Sequence, residues 1–233
     1  MSTRFCQHAG VGKAPQGGLG TAQLEHCLGR RVLVWRFEPA VLAVSSAVLG
    51  GGIGRRHWAV NAEVPLSYSR SDPDDDLRAL AEALGLRGNG IGMLTAADVG
   101  AWRRHEDEGA VAEATVGLTV PTWAAEPAPA PMPGPAPPPG TVNIVAMVPE
   151  RLSEAALVNA VMTVTEAKSQ ALWEAGVDGT GTASDAVCVL CPTDGPVEGP
   201  AHTYGGPRSL WGARLARAVH GAVSSAAPRD VGS

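Results

Sequence analysis

Apolar residues along this chain either alternate with polar ones or form short continuous runs, and glycine or proline interrupts the runs at close intervals. Runs of four to eight apolar or alternating residues between such breaks are typical of β-strands. The pattern predicts strands over residues 31–37, 41–49, 58–64, 91–95, 110–120, 141–148 and 184–191.

Three segments show helical periodicity instead. Asp72-Pro73 and a run of aspartates open a helix to about Leu84, because proline and carboxylates suit a first helical turn. Ser153 is placed to cap a long helix to about 175, and a third helix covers about 210–223. The order of these elements predicts an α+β fold, in which a mixed, partly antiparallel sheet carries about three or more helices.

The 233 residues fit one domain with loose ends. We predict a loose N-terminal extension over 1–29, a single domain over 30–225 and a frayed C-terminus over 226–233. Within the domain, residues 127–139 hold eight of the 19 prolines and predict an extended loop, taken here as 124–140. The alternative is an interdomain linker, but the segment after it has only about two strands with which to build its own sheet.

Charge and hydropathy exclude several classes of partner. The formal net charge of −5 argues against nucleic acid or an anionic membrane. No apolar run reaches the roughly 18 residues of a membrane span, and residues 1–20 lack the apolar core of a signal peptide. We therefore expect a cytoplasmic protein that acts on a small molecule; the oligomeric state is left open.

Two cysteines, Cys188 and Cys191, have the spacing of a metal or redox motif. They stand three residues apart in a predicted strand, so they face opposite sides of the sheet. No second pair completes a zinc site. We expect buried strand cysteines and no metal.

The long helix contains one lysine in an apolar setting. Projected at roughly 100° per residue, Lys168 falls within about 20° of the centre of the apolar stripe, whereas Glu166 falls on the opposite side. Lys168 has two interpretations. Its ammonium reaches water past a packed stem, or it pairs with a carboxylate and polarises a substrate carbonyl.

The loop after this helix is rich in hydroxyl groups and glycine. Thr180, Gly181, Thr182 and Ser184 precede Asp185 and a buried strand. Backbone N–H groups and hydroxyls in such a loop suit an anion or an oxyanion, although turns of this composition are also common. Asp185 needs a partner at the start of a buried strand, and an arginine, a backbone turn or Lys168 would serve.

Two asparagines, Asn61 and Asn143, interrupt apolar strands. A buried asparagine must satisfy several hydrogen bonds. Each either holds a neighbouring loop or contacts a ligand.

Short motifs in a fixed order give the chain a family resemblance from about residue 40 to 223. They are Ser46-Ala-Val-Leu-Gly-Gly-Gly52, Asn61 with Tyr68 and Asp72-Pro73, Gly92-Met-Leu-Thr-Ala-Ala97, Thr115-Val-Gly117, Gly140-Thr-Val-Asn143, Thr165-Glu-Ala-Lys168, Thr180-Gly-Thr182 with Asp185, and Tyr204-Gly-Gly206 with Gly212. In this set the chain resembles the adenosylcobinamide amidohydrolase family. Ala183 and Ser184 depart from the Gly-Thr expected before Asp185, and the Pro-rich insert is longer than expected.

The resemblance implies hydrolysis of the amide that joins the propionyl arm of the corrin ring to aminopropanol, which yields adenosylcobyric acid. The cobalt belongs to the substrate, so no cofactor is expected. Our mechanistic hypothesis takes Glu166 or Asp185 as the base for water, and Lys168, Asn143 and the 180–184 loop as the oxyanion site. Since Glu166 and Lys168 face apart, Lys168 with Asp185 is the favoured pair.

The remaining motif residues are assigned to substrate binding. The substrate-binding set contains the loop residues and five residues outside the loop: Thr180, Gly181, Thr182, Ser184, Asn61, Tyr68, Gly51, Gly52 and Thr95. Two other functions stay open. One is a non-catalytic corrinoid- or nucleotide-binding protein, and the other is a hydrolase of the same fold that acts on a different amide.

Overall fold

A computed structural model describes residues 20–127 and 140–227, and its dominant feature is one mixed sheet. The strands are β1 (Gln23–Cys27), β2 (Arg30–Ser45), β3 (Gly52–Glu63), β4 (Gly90–Thr95), β5 (Arg103–Asp107), β6 (Ala110–Gly117), β7 (Thr141–Met147) and β8 (Ala186–Pro192). Their order is β4-β3-β2-β8-β7-β6-β5, and β1 pairs with β2. Only the pairs β3–β4 and β7–β8 are parallel among the pairings of these described strands. The predicted α+β class is confirmed.

The helices are α1 (Pro73–Ala83), α2 (Glu154–Glu174), the one-turn α3 (Pro200–Thr203) and α4 (Leu210–Ala226). The side chain of Ser153 accepts a hydrogen bond from the backbone N–H of Ala156 and so caps α2, as predicted. No helix within the two described ranges is both long and apolar enough to cross a membrane.

The longest strand, β2, joins two parts of the sheet. One of its edges pairs with β3, while the other pairs with β1 through residues 30–34 and with β8 through residues 41–45. Its register shifts between Arg36 and Val41. The two strands predicted over 31–37 and 41–49 are therefore one strand with an irregularity, a position where Pro39 is tolerated because a ladder hydrogen bond is already missing.

The sheet curves until its two halves face each other. Asn61 of β3 bonds to Asn143 of β7 and to Thr115 of β6. In a flat sheet β3 and β7 would be three strands, or roughly 14 Å, apart, beyond the reach of two asparagines. The central core between the halves includes Trp35, Met93 and Leu190.

Helices cover the outer faces of the two halves. The helices α2 and α4 pack on β6, β7 and β8, and α1 packs on β2, β3 and β4. Cys191 lies in the core under α2 and α4, and Cys188 lies in the central core. The predicted opposite orientation of these two buried cysteines is therefore confirmed.

Two strands depart from the sequence predictions. Residues 23–27, placed in a loose extension, form β1, because this short segment pairs with β2 and buries Cys27. β5 was missed because its five residues, Arg103–Asp107, are polar and mostly exposed and so lack an apolar pattern. Residues 1–19, most of the Pro-rich segment (128–139) and residues 228–233 lie outside the described residues.

The carboxyl group of Glu113, on β6, is buried beside the central core. It accepts hydrogen bonds from the indole N–H of Trp35 and from the backbone N–H of Ala22. Burial raises the pKa of Glu113, and these two hydrogen bonds only partly oppose the shift. The folded protein therefore holds this proton to a higher pH than the unfolded chain does.

We expect Glu113→Gln to gain stability relative to the native protein as pH rises. A carboxyl group whose pKa is raised by folding contributes its full stabilisation below its pKa in the unfolded chain, about 4.3. That stabilisation is lost as pH rises through the pKa in the folded protein, and glutamine does not titrate. Denaturant titrations between about pH 4 and about pH 7 measure the difference in unfolding free energy. The control is Glu82→Gln, at an exposed position on α1. A difference that does not change with pH contradicts the prediction.

Candidate active site

A cleft of about 190 Å³ opens where the ends of β3 and β4 meet the beginnings of β7 and β8. Its walls are largely apolar and carry four side-chain hydroxyl groups. The lining residues are Val64, Pro65, Leu66, Tyr68, Leu94, Thr95, Ala96, Thr141 and Ser184. Among these residues, Tyr68, Thr95 and Ser184 were predicted from the sequence as substrate-binding residues. A concave apolar surface with a few convergent polar groups is the usual form of a small-molecule site.

Tyr68 forms part of the cleft wall, and its hydroxyl donates to Oδ2 of Asp76 at 3.1 Å. Burial raises the pKa of Tyr68, and the hydrogen bond to Asp76 raises it further. The phenol is therefore neutral near pH 7. It can orient a ligand but is a poor acceptor of protons.

Asp185 lies just before β8, and all of its acceptor capacity is in use. Oδ1 accepts from the backbone N–H of Val142 at 2.9 Å and from the hydroxyl of Thr182 at 2.6 Å. Oδ2 accepts from the backbone N–H of Thr182 at 3.2 Å and from the ammonium of Lys168. A carboxylate with four donors has no lone pair directed at a ligand. Its geometry suits a positioning role better than that of a general base.

Lys168 pairs with Asp185 as the helix projection anticipated. The Lys168 side chain is only 8% exposed and the Asp185 side chain 12%. Burying an ammonium requires a paired charge. The ion pair therefore ties the C-terminal half of α2 to the starts of β7 and β8.

Gly181 packs directly against this ion pair. A Cβ atom at position 181 would overlap Oδ2 of Asp185 and Nζ of Lys168. Only glycine therefore lets the loop approach the pair without displacing it. Thr180 faces elsewhere: its hydroxyl accepts from the backbone N–H of Ala124 at 3.2 Å. These two residues hold the loop rather than line the cleft.

Hydroxyl groups converge on the carbonyl oxygen of Gly140, just before β7. Thr182 Oγ1 lies 2.7 Å from this oxygen and Ser184 Oγ lies 3.0 Å from it. Ser184 Oγ is also 2.9 Å from Thr141 Oγ1. Thr141 thus begins a chain of hydroxyls that ends at the carbonyl of the residue before it.

The two predicted asparagines meet beside the cleft. Asn143 Nδ2 donates to Asn61 Oδ1 and to the backbone carbonyl of Leu94, both at 2.9 Å. Asn61 in turn donates to Thr115 Oγ1 at 2.9 Å. Asn143 Oδ1 is buried and has no hydrogen-bond partner in the part of the chain that the structure describes. The network joins the two halves of the sheet behind the cleft, which it contacts through the backbone of Leu94.

Glu166 is remote from this arrangement. It is exposed and lines a shallow groove of about 150 Å³ between α2 and α4, with Gln170 and His220. Gly51 and Gly52 are also absent from the cleft wall. Gly51 lies in the turn between β2 and β3, where a Cβ would overlap the carbonyl oxygen of Ala47, and Gly52 begins β3. The structure therefore separates Glu166, Gly51 and Gly52 from the other predicted site residues.

Sequence reasoning missed Thr141 as a site residue, although the motif Gly140-Thr-Val-Asn143 contains it. Threonine at the start of a strand is ordinary in sequence, since β-branched residues favour strands. Its position directly after a Pro-rich segment was the available indication. The apolar wall of Val64, Pro65 and Leu66 had no distinguishing pattern.

The fold and the cleft define an α+β protein with a small-molecule site at one edge of a curved mixed sheet. A family model described as adenosylcobinamide amidohydrolase matches residues 18–233. A curated relative named adenosylcobinamide amidohydrolase, from Methanosarcina mazei, is 32% identical over 182 residues, covering 76% of this chain and 85% of the relative. The chain belongs to the adenosylcobinamide amidohydrolase family, and its class is that of a hydrolase.

Loss of the buried ion pair should destabilise the protein strongly. Lys168→Met keeps most of the side-chain volume but leaves the carboxylate of Asp185 without its cation. Removing one partner of a buried pair costs about 3–5 kcal/mol, so the unfolding free energy should fall by that amount in denaturant titrations.

Glu166→Ala on the same helix is the matched control. Because Glu166 is exposed, its substitution should change the unfolding free energy by no more than about 0.5 kcal/mol. Equal effects of the two substitutions would show that the Lys168–Asp185 pair contributes no special stability.

Proposed function

We propose that this protein hydrolyses the amide bond between the propionyl arm of the corrin ring and aminopropanol in adenosylcobinamide. The products are adenosylcobyric acid and the free amino alcohol. The observation that carries the proposal is a cleft with convergent hydroxyl groups in a chain whose family membership covers almost all of its length. The cobalt enters as part of the substrate, and we assign no cofactor to the chain.

The size of the cleft fits an arm of the substrate better than the whole of it. Pockets that enclose a drug-sized ligand usually measure about 300–1,000 Å³, whereas this cleft measures about 190 Å³. We place the aminopropanol arm inside and the corrin ring at the mouth. Leu66, which is 55% exposed on the wall, offers an apolar contact to the ring.

Amide hydrolysis needs a nucleophile, a stabilised oxyanion and a proton for the leaving amine. The hydroxyls of Thr141 and Ser184 are the nucleophile candidates because both line the cleft. In this proposal, hydroxyl groups of the cleft wall stabilise the oxyanion. Asn143 supports the cleft from behind, through its hydrogen bonds to Asn61 and to the backbone carbonyl of Leu94, which lines the cleft.

The buried pair of Lys168 and Asp185 positions the reacting groups in this scheme. Asp185 fixes the backbone of Val142 and both polar groups of Thr182. It thereby sets the place of Thr141 on one side and of the 180–184 loop on the other. A displacement of about 1 Å at such a site reduces turnover roughly a hundredfold, so Asp185→Asn should lower kcat without a large change in KM.

Incubation of the purified protein with adenosylcobinamide, followed by mass analysis, tests the proposal. We expect adenosylcobyric acid and aminopropanol in equal amounts. Tight binding without product would favour the alternative of a corrinoid-binding protein. Absence of both binding and product would favour a hydrolase for a different amide.

Filling the mouth of the cleft should block the substrate while leaving the fold intact. Leu66→Trp adds bulk at an exposed position of the wall, so kcat/KM for adenosylcobinamide should fall at least about tenfold, which corresponds to roughly 1.4 kcal/mol. Leu210→Trp, at an exposed position outside the cleft, is the matched control and should retain native activity. Equal activity of the two variants would place the substrate elsewhere.

A further inference from the structure

The cleft contains nucleophiles but no base to activate them. No histidine or carboxylate is among the residues that line it in the described part of the chain. Asp185, the closest carboxylate to Thr141 along the hydroxyl chain, has all of its acceptor positions occupied. Tyr68 keeps its proton, and its hydroxyl donates a hydrogen bond to Asp76. A hydroxyl is a weak nucleophile unless a neighbouring base takes its proton.

The bond between Gly140 and Thr141 has the surroundings of a reactive peptide bond. The carbonyl oxygen of Gly140 is approached by the hydroxyls of Thr182 and Ser184 at 2.7 and 3.0 Å. Hydroxyl groups that donate to a carbonyl oxygen polarise the carbonyl and stabilise the negative charge that develops on the oxygen during addition. Thr141 Oγ1, linked to Ser184 Oγ at 2.9 Å, is four bonds from the carbonyl carbon, so its attack closes a five-membered ring.

The direction of each hydrogen bond in this group is set by the number of protons available. The carbonyl oxygen of Gly140 only accepts, so Ser184 donates to it, and Thr141 therefore donates to Ser184. The single hydroxyl proton of Thr182 is shared between the carbonyl oxygen of Gly140 and Oδ1 of Asp185. Among the described residues, the partner of Thr141 Oγ1 is Ser184 Oγ, so the Oγ1 lone pairs are available to the carbonyl carbon.

We propose that the chain cleaves its own peptide bond between Gly140 and Thr141, and that the new α-amino group of Thr141 is the general base of the hydrolase. The cleavage itself is independent of substrate; the second part rests on the proposed function. A threonine whose own terminal amine activates its hydroxyl is a recognised form of nucleophile. The cleavage thus creates the base that the cleft lacks.

The cleavage proceeds through a proton relay along the hydroxyl chain. Thr141 Oγ1 bonds to the carbonyl carbon of Gly140 while its proton passes to Ser184 and the Ser184 proton passes to the carbonyl oxygen. The carbon–nitrogen bond then breaks as the proton of the new hydroxyl group passes to the nitrogen, so the carbonyl re-forms and an ester joins Gly140 to the side chain of Thr141. Water hydrolyses this ester to the Gly140 carboxylate, and Thr141 regains its hydroxyl beside a free amine.

The same two groups of Thr141 then carry the reaction on substrate. The amine takes the proton of Oγ1 as the oxygen attacks the substrate amide, and the resulting ammonium protonates the departing aminopropanol. Water, activated by the amine, hydrolyses the acyl ester and releases the acid. An α-amino group titrates at about 7.7–8.0, so it is a competent base near neutral pH.

The fold keeps the new terminus in place after cleavage. Thr141 pairs with Gly117 in the sheet, and the next residue, Val142, is bound to Asp185. Gly140 is packed so closely that a Cβ there would overlap the carbonyl oxygen of Gly117. The Lys168–Asp185 pair thus anchors the residue next to the nucleophile, which gives this buried pair a positioning role.

Mass spectrometry and N-terminal sequencing of the purified full-length chain test the cleavage. We expect the 23.8 kDa chain to convert into two fragments that remain associated, the second beginning Thr-Val-Asn-Ile. Hydroxylamine should trap the ester and leave a hydroxamate on Gly140. Cleavage at scattered positions before Gly140 would indicate a contaminating protease and would overturn the proposal, as would a chain that stays intact under all conditions.

Variants separate the chemistry from folding. Thr141→Ala should remain intact and lose hydrolysis of adenosylcobinamide by at least a thousandfold, whereas Thr141→Ser should still be cleaved, more slowly. Ser184→Ala should slow the cleavage by breaking the relay. Thr203→Ala, at an exposed hydroxyl that bonds only within its own turn, should cleave as the native chain does. If Thr141→Ala fails to fold, Thr141→Ser and the hydroxylamine adduct decide the matter.

The assays distinguish failure of this inference from failure of the proposed function. An intact chain that hydrolyses adenosylcobinamide overturns self-cleavage and leaves the function standing. A chain cleaved before Thr141 that does not act on adenosylcobinamide supports self-cleavage and overturns that substrate. For the active cleaved enzyme, acetylation of the Thr141 amine should abolish activity; full activity after acetylation overturns the role of the amine.

Discussion

The largely buried carboxylate of Asp185 is the constraint on which this site depends. It accepts four hydrogen bonds, from Lys168 on α2, from Val142 on β7 and twice from Thr182. A buried charge of this kind is retained only when its geometry is well satisfied. Three elements distant in sequence therefore hold their positions relative to one carboxylate, and the cleft forms at their meeting point.

Polar groups inside the curved sheet add a second constraint. The side chains of Asn61, Asn143 and Thr115 bridge strands from opposite halves. Hydrogen bonds shielded from water are strong and directional, and losing one partner leaves the other unsatisfied. The network therefore fixes how closely the halves approach at the end where the cleft lies, while apolar packing fixes the remainder.

Most of the fold could be predicted because its strands and helices carry clear local patterns. α2 shows why: Ser153, the apolar stripe and Gly176 mark its start, its buried face and its end. β1 and β5 escaped prediction since each has five residues and little apolar content, and their pairing depends on neighbours far along the chain. The curvature of the sheet was also out of reach, because it arises from packing between the halves.

The candidate site was predictable where a residue conflicted with its surroundings. Lys168 stood out as a charge within an apolar stripe, and Asp185 as a carboxylate that needed a partner, for which Lys168 was one of three candidates. Glu166 was retained as a candidate base because of its motif, although the helix projection already placed it on the side of α2 where the structure finds it. Thr141 gave no such conflict, and only the three-dimensional convergence of hydroxyls on Gly140 distinguishes it.

The pairing of β2 with a strand near the end of the chain affects how the protein folds during its synthesis. The second half of β2 pairs with β8, which lies about 150 residues later in the chain. Domains fold largely as units during translation, and long-range strand pairing is intrinsically slow. The nascent chain must therefore carry an unpaired edge on β2 until the ribosome has delivered residues 186–192, and that interval is when chaperones have most reason to bind it.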